Sequence, residues 1–411
     1  MRSFYILFGI IFCGLAVSAR TIPVSKAGPV KSLKEALLHA NNGDTILVAK
    51  GIYREHNLVV DKRIVLKGID YPVLDGEDKY EVVSIKASGV VVEGFTVVHS
   101  GSSSIEDYAG IKIINSRDVI IRNNILRDNF FGIYSQFGSR CRIENNQITA
   151  HGVSEQLSGN GIHCWKSDSM QIVHNTVSGQ RDGIYFEFVG HSTVSQNLST
   201  GNIRYGLHFM FSNDDLYVSN IFRNNGSGVA VMFSRNMTMR NNIFELNWGD
   251  AAYGLLLKEI SGSFIESNSF NGNTSGIVME GASRIRVFRN VFRNNGSAMR
   301  IQASCMDVDV TKNSFLSNTF DVSTNGSLVL NTFNENYWDK YDGYDLDRDG
   351  YGDVPWHPVS LYSMIMEKNP SAVIIFRSLM SILLDKAEKA VPGITPEDLK
   401  DNRPLMKPLS P

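Results

Sequence analysis

The chain has 411 residues, with 40 Lys and Arg set against 42 Asp and Glu, and only four cysteines. A balance this close to neutral argues against nucleic-acid binding and against a polybasic membrane patch. One cysteine falls in the leader described next, and the other three are scattered, so no disulfide framework is expected.

Residues 1–19 join Arg2 to an apolar run and the small residues Val17, Ser18 and Ala19. That order reads as a secretory signal peptide cut after Ala19. Its apolar run is shorter than the roughly 20 residues a membrane span requires. An exported protein without disulfide staples is expected.

Ser32 and Glu35 have the spacing of a capping box, and Ala36, Leu37 and Leu38 follow before the Asn41-Asn42-Gly43-Asp44 stop. A short helix is expected there, covering the open first coil of what comes next. The first strands are then Thr45 to Val48 and Leu58 to Val60.

From about residue 45 to 335 the chain repeats. Gly110 and Gly132, Gly161 and Gly183, Gly206 and Gly228, and Gly254 and Gly276 are each 22 residues apart. An asparagine stands fourteen residues after the opening glycine: Asn124, Asn146, Asn175, Asn197, Asn220, Asn242, Asn268 and Asn290. The apolar runs between them are short and alternate with period two, which means strands. Such a unit cannot bury its own apolar side, so copies must stack. The fold class is all-β, a right-handed parallel β-helix, its hand set by the crossover rule for parallel strands. The asparagines read as a buried amide ladder at a turn.

The pleat assigns faces. Residues one and three after each glycine point inward, including Ile162, Cys164, Leu207 and Phe209. Residues two and four after it point outward: His163 and Trp165, Tyr185 and Glu187, His208 and Met210, Ala230 and Met232. An ordinary solvated face carries Lys, Ser, Thr and Glu, and this one carries His, Trp, Tyr and Met. Equivalent residues of adjacent coils lie roughly 4.8 Å apart. His208, Met210 and Met232 can therefore meet at one ion, whereas His163 reaches it only by a large lean of its ring. Imidazole with thioether is a soft set that suits Cu(I). The same residues also suit a protein-contact patch. Trp165, Tyr185 and Glu187 border the set as candidate interface residues. Two coils are longer than the rest, with their excess at Thr149 to Ser158 and Glu245 to Tyr253, and both insertions should abut this face. A sugar-active enzyme is the alternative, because β-helices offer long grooves. Hydrolysis needs two facing carboxylates about 5–9.5 Å apart, while Glu187 and Glu280 stand four coils apart.

Residues 336–360 break the pattern. Asp345, Asp347, Asp349 and Asp353 resemble the first half of a calcium loop, but Trp356 stands where the bidentate Glu belongs. Calcium binding and a plain Asx-turn loop both remain open. Residues 361–411 form a C-terminal helix and an extended, proline-bearing tail. The helix is apolar around most of its circumference between Ala372 and Leu384, more than capping a coil requires. Phe376, Leu379 and Leu383 are its candidate anchors on a partner.

The motifs GNGIHCW, RYGLHFMFSND, GVAVMFSR, AAYGLLLKE and NYWDKYDGYDLDRDGYGDVPW, then PVSLYSMI, resemble the NosD family of nitrous oxide reductase maturation proteins. The resemblance implies a periplasmic, non-catalytic β-helix protein taking part in copper-site assembly. It implies as partners the permease and ATPase of an ABC transporter, a copper chaperone and nitrous oxide reductase itself, with docking at the inner membrane through the transporter. It supplies no catalytic residues and no copper ligands, so the His and Met set rests on spacing alone.

Overall fold

The computed structural model describes residues 19–103, 105–326, 330–368, 383 and 399–409. The leader up to residue 18 lies outside them, as do Phe376 and Leu379. Among the described residues no helix is long and apolar enough to cross a membrane.

Three parallel sheets of 14, 12 and 13 strands wind into a right-handed solenoid of about 14 turns. Each complete coil contributes one strand to each sheet, the end coils fewer, and each strand pairs with its counterpart one coil away. The stack starts earlier than the sequence pattern indicates. Thr21–Val24 pairs in parallel with Thr45–Val48, ahead of the first helix. That helix, α1 (Leu33–His39), buries Leu33, Ala36 and Leu37. The Ser32 side chain accepts from the Glu35 amide, and the next free amides, of Leu33 and Lys34, are taken by Glu55 from outside the helix.

The repeated glycines do not serve a left-handed turn. A Cβ on Gly183 would sit 2.7 Å from the carbonyl oxygen of Gly206, and one on Gly206 would sit 2.8 Å from that of Gly228. Between these coils the backbones approach too closely at this column for a side chain.

All eight predicted asparagines are buried. Each donates its backbone N–H and its Nδ2 to Oδ1 of the next, as Asn197 does to Asn220 at 3.0 Å in both bonds. The same Nδ2 donates to a carbonyl of the preceding coil, Ile172 O, at 2.8 Å. The ladder continues through Asn313 to Asn336, whose donors end on the carboxylate of Asp401 at 2.9 and 3.1 Å. Asp401 is fully buried and also accepts from the Trp338 indole. The extended tail expected from its prolines is, at this point, a plug that finishes the solenoid. Two further columns, not singled out from the sequence, keep a fixed spacing from the glycines. A second amide ladder runs from Asn202 through Asn225, Asn247, Asn273 and Asn295 to Asn318. Inside, the rings of Phe222, Phe244, Phe270, Phe292, Phe315 and Trp338 stack at 4.1–5.5 Å.

Candidate functional site

The outer face of the 12-stranded sheet carries three columns of side chains per coil. They stand one residue before the glycine, two after it and four after it. The inward partners Ile162, Cys164, Ile184, Phe186, Leu207 and Phe209 are all wholly buried in the continuous core, as the alternation requires. His163, Tyr185 and His208 therefore face outward, but they are not exposed. Their residual exposures are 8%, 9% and 5%. This corrects the expectation of an open patch. The middle column is walled by large side chains on both sides, and its rings close on one another. Tyr134, His163, Tyr185 and His208 follow at centroid separations of 4.8, 4.7 and 4.7 Å. Phe131 packs on His163 and Tyr205 packs on His208.

His163 and His208 do not converge, because the Tyr185 ring lies between them. Met210 and Met232 are direct register partners, and both are half-buried, as are Trp165 and Glu187. Tyr185 donates its hydroxyl to the Met210 sulfur at 3.7 Å. His208 stands two residues before Met210 on the same strand. Met210 and Met232 are thus neighbours on adjacent coils, His208 shares a strand with Met210, and His163 is separated from His208 by the Tyr185 ring.

The charges behind the rings were not foreseen. Asp182 is fully buried and grips Arg204, whose Nε and Nη2 both donate to the carboxylate, the former at 2.8 Å. Burial pushes the Asp182 carboxyl up, but the Arg204 hydrogen bonds outweigh it and hold the group at about 2. Its Oδ2 lies 3.7 Å from Nδ1 of His208. Both ring nitrogens of His208, and Nε2 of His163, are buried without a hydrogen-bond partner. Burial, followed by the nearby Arg181, pushes His163 down to about 3, so its imidazole is neutral at any physiological pH. Glu155, from the first inserted loop, raises Arg204 further by its charge. Tyr253, at the end of the second insertion, stacks on Tyr205 at 6.3 Å.

Buried polar atoms are almost always satisfied, and orphans call for an explanation such as an ion. Buried imidazole nitrogens without hydrogen bonds, on a strand that also carries one of two register-paired thioethers, fit a soft monovalent metal ion. They do not fit a hard cation, which takes oxygen.

At the strand ends beside the methionines runs an exposed aromatic stripe. Phe188, Phe211 and Phe233 stack at 5.1 Å each, and they are 46%, 38% and 42% exposed. Their φ angles are 54°, 52° and 52°, a left-handed region that bulky residues rarely occupy. Phe137 repeats the conformation and packs on Trp165, over which Lys166 lies. The signal was in the sequence, since each Phe stands five residues after its glycine.

In the Asp-rich loop, carboxylate oxygens of Asp345, Asp347 and Asp349 lie within 4.8 Å of one another. Asp353 is occupied elsewhere, accepting from Leu346 N at 2.7 Å. Asp345 accepts from the Asp349 and Gly350 amides, and Arg403 holds Asp349 at 3.0 Å. Leu383 is half-exposed.

The profile of the family described as periplasmic copper-binding protein (NosD) matches residues 149–343. That segment contains His163, Tyr185, His208, Met210 and Met232, while Phe131 and Tyr134 precede it. The chain is NosD-like. Two relatives agree, each named "Probable ABC transporter binding protein NosD". One, from Stutzerimonas stutzeri, is 28% identical over 82% of this chain and 80% of its own length. The other, from Pseudomonas aeruginosa, is 27% identical over 96% of this chain and 94% of its own length. A right-handed β-helix profile matches residues 32–177. Among solved structures, the fold of this NosD-like chain is similar to a GH87 α-1,3-glucanase catalytic domain. The TM-score is 0.65 at 12% identity, over 78% of this chain and 69% of that one. It is also similar to the A-module of a mannuronan C-5 epimerase of Azotobacter vinelandii. There the TM-score is 0.51 at 16% identity, over 74% and 88%. At those identities the likeness is of fold alone.

Proposed function

We propose that this NosD-like chain is a periplasmic, non-catalytic accessory protein in the maturation of nitrous oxide reductase. It takes part in assembling the copper site together with an ABC transporter, and His208, Met210 and Met232 form a transient Cu(I) station. The observation that carries the reading is His208. It is a buried imidazole with no hydrogen bond at either nitrogen, on the strand of Met210, whose register partner is Met232. The family description and the relatives' names support copper and the transporter respectively. An incomplete, soft ligand set suits an ion that must also leave. The sugar-active alternative finds less support. Asp182 is tied to Arg204, and Glu187 and Glu280 belong to strands four coils apart.

Met210→Leu with Met232→Leu should lower Cu(I) affinity at least about tenfold, or about 1.4 kcal/mol. The volume is nearly kept, so thermal unfolding should stay close to wild type. Competition against a Cu(I) chelator measures it, and equal affinity in both proteins would reject the site.

The C-terminal segment with Phe376, Leu379 and Leu383 is proposed to dock on the transporter permease as a helix in a groove. Because Asp401 finishes the solenoid, the test must spare the tail. Replacing residues 370–397 with a glycine–serine linker should leave a folded protein that no longer co-purifies with the transporter. Undiminished co-purification would refute the docking role.

A further inference from the structure

The two outward histidines sit beside different partners, and the difference decides which of them can hold an ion. His163 has Asn160 at its Nδ1, with Asn160 Nδ2 at 3.4 Å. An amide can usually be turned either way, but here it is pinned. Arg181 donates its Nε to Asn160 Oδ1 at 3.2 Å, and a guanidinium has only donors to offer. The oxygen must face Arg181, so the NH2 faces His163 and donates. Nδ1 of His163 is then an acceptor, and the proton of this neutral ring sits on Nε2.

His208 has Asp182 at its Nδ1, 3.7 Å from Oδ2. Asp182 is held ionised by Arg204 and can only accept. In its neutral form the ring carries its proton on Nδ1, toward the carboxylate, and leaves the Nε2 lone pair free. Coordinating histidines commonly send their other N–H to a carboxylate in this way. A purely structural reason for the Asp182–Arg204 pair is weak, because a buried ion pair is seldom a net stabiliser. The register partner of Asp182 on the next coil is Tyr205, and beyond that Ser227, so the solenoid itself does not require an acid at this column.

We infer that Asn160 and Asp182 hold the two histidines in opposite tautomers, so that His208 is the ligand and His163 is excluded from coordination. Asp182 is thus a positioning residue for the copper station, and this part of the inference rests on the copper reading above. It also assigns His163 a different role from the one its spacing suggests. Its ring closes the stack against Tyr185 and Tyr134 and offers an N–H instead of a lone pair.

The tautomers can be read without copper, from long-range proton–nitrogen correlation spectra of the ion-free, full-length mature protein. His208 should show a protonated Nδ1 and a bare Nε2, and His163 the reverse. Identical tautomers in the two rings would overturn the inference. Asp182→Asn should move the His208 proton to Nε2, because Arg204 takes the new amide oxygen and the NH2 turns to the ring. Cu(I) affinity should fall about 10- to 100-fold with it. If that variant does not fold, His163→Gln provides a second arm. It should leave Cu(I) affinity within about twofold, and a tenfold loss would restore His163 to the ligand set and refute the exclusion. Opposite tautomers in a wild-type protein that binds no Cu(I) would sink the copper reading and leave the tautomer assignment standing.

Discussion

From Tyr134 to Val278 one outer column of the 12-stranded sheet reads Tyr134, His163, Tyr185, His208 over the first half of that stretch and Ala230, Leu256, Val278 over the second. Both halves are outward-facing, both are buried, and both sit on the same glycine column and the same asparagine ladder. The backbone does not distinguish them. The second half is what this position looks like when only packing is asked of it, an apolar cluster with Tyr205, Met232 and Tyr253 around it. The first half carries rings with orphaned nitrogens and a buried ion pair that packing does not require. The chemistry was therefore written into a uniform scaffold by side-chain choice alone, over a few adjacent coils.

That comparison can be broken first at what the halves share. Asn175→Ala and Asn268→Ala each strand several buried backbone and amide groups, at about 1–3 kcal/mol per group. Each should cost about 3–6 kcal/mol by the same rule, and the two losses should be similar. Chemical denaturation followed by circular dichroism measures both. A much smaller loss in either half would mean that the ladder is not the common support.

A smaller effect belongs to the first half only. Asp215 points into the core, with Oδ2 unpartnered, and burial pushes its carboxyl up to about 8. An unfolded aspartate titrates near 3.9. Between those values the folded chain binds a proton that the unfolded chain has lost. This group therefore makes stability fall as pH rises from about 4 to about 8, by at most about 1.4 kcal/mol per pH unit. Asp215→Asn should flatten that slope in melts between pH 5 and 8, and an unchanged slope would show that Asp215 is ionised in place.

The smallest effect sharpens the contrast at the surface. Phe211→Asn relieves a left-handed backbone but loses two ring stacks, and the terms are each about 1 kcal/mol and opposed. Stability should stay within about 1 kcal/mol of wild type by those magnitudes. A loss above about 2 kcal/mol, beyond what those stacks supply, would make the stripe a structural brace.

How much of this was legible follows from the period. Whatever recurs every coil could be read, which is why the fold, the asparagine ladder and the in–out assignment of His208 and Met210 came from spacing. The second ladder from Asn202 and the Phe222 stack were equally periodic, at fixed spacings after the same glycines, and were legible by the same rule though not read from it. Alternation gives the side of a sheet but not what lies beside a side chain on that side, so the burial of His163 and His208 was invisible. The Asn160 and Asp182 contacts depend on which atom of a neighbouring coil is reached, and no periodicity encodes that. Asp401 recurs nowhere and meets Asn336 across 65 residues, beyond any local pattern.

The asparagine ladder also has a direction, and synthesis has one too. Every rung gives its hydrogens to the rung that follows it in the chain, so a coil just completed holds two donors out toward residues not yet made. Each new coil answers the one before it, and the arrangement ripens in the order of translation. Asn336 waits longest. Its partner arrives only with the tail, when the carboxylate of Asp401 takes its two donors together with the Trp338 indole hydrogen. A chain cut short anywhere before that residue is left with an open rung at its growing end, so the solenoid distinguishes a finished chain from an unfinished one.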